Sequence, residues 1–158
     1  MRAPERMNAS EDAKTLSLIQ KWADGKATLK DVRGYSDEEL YSIAKIAYFY
    51  YYQGRINEAR VLFQGLYAVN PLDAYFARAL GVVEFAAGNA QGALSAYDVA
   101  VKLSPQDPSS YVGRAEVKIS LGQRNPAADD LRRAVQLSTS GQPINVKAFS
   151  MLEALGRR

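Results

Sequence analysis

The chain has 158 residues, 47% of them hydrophobic and 23% charged, a length and balance suited to one globular domain with a self-sufficient core. Its formal net charge of +3 arises from 20 basic residues scattered among 17 acidic ones, so no basic stripe of the kind that binds nucleic acid is expected. Histidine and cysteine are absent, which removes the commonest general base, the usual zinc ligands, disulfides and the thiol or Ser-His nucleophiles; the expectation is no enzyme, no cofactor and no metal site.

The opening stretch MRAPERMNASEDAK is polar and lacks the apolar segment of a secretory signal. No run approaches the roughly 18 apolar residues of a membrane span, so a cytoplasmic location without membrane insertion is expected. An amphipathic helix over about 9–24 carries Leu16, Ile19 and Trp22 and ends at Gly25, followed by KATLKDVRGY, which reads as a linker.

From there the chain repeats. Gly54, Gly88 and Gly122 are each 34 residues apart. Superposed on those glycines, the segments align Ala59, Ala93 and Ala127; then Phe63, Tyr97 and Leu131; then Leu66, Ala100 and Ala134. Pro71 and Pro105 close the first two units. Small, aromatic, small, then proline over this period resembles the tetratricopeptide repeat, a helix-turn-helix unit. The fold class expected is therefore all-α: a tetratricopeptide-repeat solenoid of three repeats (36–70, 71–104, 105–140), preceded by residues 1–35 and closed by a C-terminal capping helix within 141–158.

Local signals place the helices. Ser36 with Glu39 forms an S-x-x-E capping box, Asp107 with Pro108 opens the third unit, and Asn125 with Pro126 reads as the start of its second helix. First helices are predicted at about 37–53, 72–87 and 108–121, each stopped by its glycine, and second helices at about 57–69, 90–103 and 126–138. A last helix, about 144–156, shows Val146, Phe149 and Leu152 at helical spacing.

The run AYFYYYQG, Ala47 to Gly54, sorts by helical angle. Leu40, Ile43, Ile46, Ala47 and Tyr50 share a stripe expected to face the partner helix, with Phe49 also assigned to the core. Tyr41, Ala44, Tyr48, Tyr51 and Tyr52 share another. In a tetratricopeptide solenoid the first helices line the concave surface, so the second stripe is expected in a peptide-binding groove. Tyr75, Arg78, Val82 and Phe85 of the second unit and Val112 and Glu116 of the third would continue it. Tyrosine pairs apolar area with a wettable tip, which suits an extended or partly helical peptide with apolar anchors. Arg78 and Glu116 read equally well as polar groove contacts or as a solvated face. Asp129 and Asp130 read as solvated. The Lys and Asn of grooves that grip acidic C-terminal tails are replaced by Ala44 and Tyr48.

The order of an N-terminal helix, ATLKDVRG, LYSIAKIAYFYYYQGRINEARVLFQGLYAVNP, AEVKISLGQ and a closing KAFSMLEAL resembles the class II chaperones of bacterial type III secretion systems, from about Leu18 to Leu155. The resemblance implies a cytoplasmic, non-enzymatic chaperone that binds hydrophobic translocator proteins and keeps them soluble until export. It also implies a homodimer, with Leu16, Ile19 and Trp22 as candidate interface. Tyr67 stands where many relatives carry a cysteine, and the pI near 9.1 is more basic than theirs. A general tetratricopeptide adaptor and a chaperone of needle-type subunits are the competing expectations.

Overall fold

The computed structural model describes residues 9–157. Every regular element among them is a helix: α1 (Ala9–Ala23), α2 (Leu29–Arg33), α3 (Asp37–Tyr52), α4 (Ile56–Val69), α5 (Ala74–Ala86), α6 (Ala90–Leu103), α7 (Pro108–Ser120), α8 (Arg124–Leu137) and α9 (Pro143–Gly156). The helices pack as α3 with α4, α5 with α6 and α7 with α8; each pair stacks on the next, and α9 covers α8. None of them is long and apolar enough to cross a membrane.

Short-range chemistry sets the boundaries. Ser36 accepts from the Glu39 amide while the Glu39 carboxylate accepts from the Ser36 amide at 2.8 Å, closing the predicted capping box. Asp73 and Asp107 cap α5 and α7 through the amides of Tyr75 and Ser109. Gly54, Gly88 and Gly122 take φ of 76°, 81° and 76°, a left-handed conformation that reverses the chain without the steric penalty of a Cβ.

Two local readings are corrected. The expected linker contains α2, started by a capping box between Thr28 and Asp31; a five-residue helix is too short to announce itself by period. Helix α8 starts at Arg124, so Asn125 is not its cap. Pro126 sits in the first turn, where a missing N–H forfeits no intrahelical bond.

The repeat register defines the core. Ala59, Phe63 and Leu66, with their counterparts Ala93, Tyr97 and Ala100 and then Ala127, Leu131 and Ala134, are all buried. Burying a ring such as Phe63 contributes about 2–3 kcal/mol. Tyr97 of α6 passes between Gly81 of α5 and Gly113 of α7; a Cβ built on Gly81 would lie 2.8 Å from its ring carbons.

The assigned faces of α3 need revision. Leu40, Ala44 and Ala47 form its buried face, while Ile43, Ile46 and Phe49 are 39%, 51% and 58% exposed and Tyr50 is half-buried beneath the Arg55 guanidinium. The register supplies the reason. One period after Phe49 comes Val83 and two periods after comes Val117, both fully buried against the preceding pair of helices. Among the described residues nothing covers that face of α3. It borders an apolar cleft of about 790 Å³ between α3 and α4, lined by Tyr35, Ile43, Val61, Leu62 and Val69. At the other end α9 buries Ala148 and lays Leu152 and Leu155 on the core, whereas Val146 and Phe149 of the predicted stripe face outward.

Buried charge ties neighbouring helices together. Glu84 of α5 accepts from Arg60 and Gln64 of α4, at 2.9 and 2.8 Å, and from Asn89. Burial alone would push the Glu84 carboxyl up, yet these donors hold it below its usual range. Asp130, expected to be solvated, is buried and accepts from Arg114 and Lys118 of α7. Its neighbour Asp129 is exposed and pairs with Arg132, because adjacent residues on a helix diverge by about 100°.

Candidate functional site: an aromatic inner surface

The first helices of the pairs meet through side chains, α3 with α5 through the rings of Tyr41, Tyr48 and Tyr75 and α5 with α7 through Arg78 and Asp107, and in a tetratricopeptide-repeat fold such helices line the inner surface. Tyr48 is its hub. The ring packs edge-on against Phe63 of α4 at 4.9 Å and lies 6.2 Å from Tyr75 of α5 and 6.3 Å from Tyr52. Tyr51 closes on Tyr52 at 5.4 Å. Burial pushes the Tyr48 hydroxyl up to about 12. Tyr52, by contrast, is 81% exposed. A half-buried ring carrying an exposed one presents apolar area that none of the described residues covers.

Tyr41 has a second task. Its ring lies 5.3 Å from both Tyr75 and Phe76, and its hydroxyl donates to the Asp73 carboxylate at 2.7 Å. Desolvation first, and Asp73 second, push that hydroxyl up to about 12. Asp73 is the cap of α5, so Tyr41 straps one repeat to the start of the next. One repeat on, Arg78 donates to Asp107, the cap of α7, at 3.2 Å, with its guanidinium 5.9 Å from the Tyr75 ring. Glu116 pairs with Lys147 of α9 at 2.7 Å.

Not every expected groove residue reaches the surface. Ala44 and Val112 are buried at 0% and 2% exposure, because α3 and α7 turn these positions toward their own partner helices. Val82 and Phe85 are half-buried against Tyr97 and Val117. Sequence reasoning gives Tyr97 no place in the groove, although it alone of the three aligned residues Phe63, Tyr97 and Leu131 carries a side-chain polar atom. Leu16 and Ile19 are exposed on α1, which packs on α2. The side chain of Trp22 lies outside the described residues. Among the described residues no cluster of acidic side chains could hold a metal ion.

Comparison with known proteins agrees with this architecture. A tetratricopeptide-repeat family model matches residues 45–108. The translocator chaperone SycD of Yersinia enterocolitica superposes with a TM-score of 0.76 at 24% identity, covering 81% of this chain and 98% of that one. The structure of SycD with a peptide of the translocator YopD superposes at 0.69 with 25% identity, over 77% of this chain and 95% of that one. PcrH, from Pseudomonas aeruginosa, in complex with the chaperone-binding region of PopD, does so at 0.72 with 24% identity, over 78% and 95%. The chain has the all-helical tetratricopeptide-repeat fold of the type III secretion translocator chaperones.

Proposed function

We propose that this protein is a cytoplasmic chaperone of a type III secretion system that holds a hydrophobic translocator protein on its aromatic inner surface until export. The observation that carries the reading is the uncovered ring cluster of Tyr48, Tyr52 and Tyr75, on a fold whose solved counterparts SycD and PcrH hold segments of the translocators YopD and PopD. Stacked tyrosines bury apolar side chains of a client at low conformational cost. Chaperones and tetratricopeptide modules of this kind are non-enzymatic families. A homodimer belongs to the same reading, with Leu16, Ile19 and Trp22 of α1 and the open apolar face of α3 as its candidate surfaces.

Co-expression with the translocators of the native secretion system tests the proposal. A soluble complex is expected, and Tyr52→Ala should release the client at least about tenfold more readily, since exposed aromatic anchors are worth over 1 kcal/mol at interfaces. Tyr52 is the cleaner probe than Tyr48, whose ring also supports Phe63. Capture of stable cytoplasmic or envelope complexes in place of a translocator would favour a general adaptor. Protection of a long helix in limited proteolysis would favour a needle-subunit chaperone.

A further inference from the structure

The hydroxyl of Tyr97 is a polar group without an occupation. The residue is 4% exposed, and its ring is held between Gly81 and Gly113 in the gap between two first helices. Its hydroxyl makes no hydrogen bond among the described residues, yet no side-chain oxygen or nitrogen among them is sealed from solvent without a partner. A group that is neither bonded nor sealed opens outward. A ring that enters between α5 and α7 from α6 behind them can open only onto the inner surface. The ionisable groups that act on it are those of that surface: Glu116, Tyr48, Arg78 and Tyr51. Burial holds it in the protonated form, ready to donate.

Arg78 acts on it from the same surface and has donors to spare. Its only hydrogen bonds among the described residues run from one terminal nitrogen to Asp107, leaving the rest of the guanidinium fork unused. The matching ligand group is an acceptor. Asp107 and Glu116 already supply negative charge here, answering Arg78 and Lys147, so a further carboxylate is disfavoured and a neutral carbonyl is not. A helical segment spends its carbonyls internally, whereas an extended one leaves them free.

We propose that Tyr97, assisted by Arg78, is the polar anchor of the inner surface and donates to a main-chain carbonyl of an extended client segment, whose apolar side chains lie on Tyr48, Tyr52 and Tyr75. The identity of the client rests on the chaperone reading above; the anchor itself rests on the geometry of Tyr97. It divides the labour within the surface: rings supply affinity for apolar side chains, and one hydroxyl with one guanidinium selects an extended backbone.

The test uses the full chain and a library of fluorescein-labelled apolar decapeptides, read by anisotropy, with the best binder carried forward. Tyr97→Phe removes the hydroxyl alone, so its melting temperature should match the parent while the decapeptide binds about 5- to 10-fold more weakly, the worth of one hydrogen bond. Replacing peptide amides of that binder by esters one position at a time should weaken binding to the parent at one carbonyl. The same ester should cost nothing further in Tyr97→Phe. Equal affinity of parent and Tyr97→Phe, with Tyr52→Ala impaired, would overturn the anchor and leave the surface standing. No binding by any decapeptide, or binding untouched by Tyr52→Ala, would remove the surface and the anchor together.

Discussion

The phenol ring of Tyr97 occupies the volume that a side chain at Gly113 would need, even though the two residues lie on different helix pairs. A Cβ on Gly113 would overlap the hydroxyl end of the ring, and one on Gly81 would press its other edge. The close approach of α5, α6 and α7 therefore depends on two glycines facing one tyrosine.

Gly113→Ala should accordingly destabilise the protein. Alanine gains up to about 1 kcal/mol of helix propensity over glycine, but overpacking a ring confined on both sides costs about 1–3 kcal/mol. A net loss near 1–2 kcal/mol is expected from urea unfolding. Gly65 in α4 supplies the control, because a Cβ there meets nothing within 4 Å. Gly65→Ala should be neutral or stabilising by up to about 1 kcal/mol. A destabilised Gly65→Ala together with an unaffected Gly113→Ala would contradict this account of the packing.

Four of the tyrosines should hold their protons to unusually high pH. Of the ten in the chain, Tyr41 and Tyr48 are pushed up to about 12, and burial raises Tyr75 and Tyr97 as well. Folded-state values above the ordinary 10 mean that the native state keeps protons which the unfolded chain would release. Their contribution to stability is thus complete below pH 10 and lost as the pH climbs through about 12. Near pH 11 the folded protein should show clearly less phenolate absorbance than the same chain in denaturant, and its unfolding free energy should already be falling. Identical titration curves in the two states would contradict the burial of these hydroxyls.

The two adjacent aspartates of α8 should respond very differently to substitution. Asp130→Ala leaves Lys118 without its carboxylate and Arg114 with only the exposed Asp98, although the two basic side chains are just 15% and 17% exposed. Breaking such a pair costs about 3 kcal/mol. Asp129→Ala removes only an exposed contact to Arg132 and should change stability by less than about 0.5 kcal/mol. Thermal melts of the two variants, side by side, decide it.

Most of what neighbours in sequence govern could be read from the sequence alone, the capping box of α2 and the start of α8 excepted. The 34-residue period, the capping box at Ser36, the cap Asp107 and the three left-handed glycines involve partners a few residues apart, and helices α3 to α7 lie within two residues of their predicted bounds. The tyrosines around Tyr48 were legible as a second stripe for the same reason, since helical angle is a local property. What lies on the other side of a stripe is not local. Phe49, Val83 and Val117 hold one register position, and only the stacking of helix pairs decides that the last two are buried while the first is exposed. Nor could the sequence show that Asp130 faces two cations while Asp129 faces water, or that the Tyr97 hydroxyl emerges between two glycines onto the inner surface. Those outcomes depend on which helix approaches from which side, and tertiary packing alone chooses that, by burying the small residues where helices cross and leaving the rings to whatever binds.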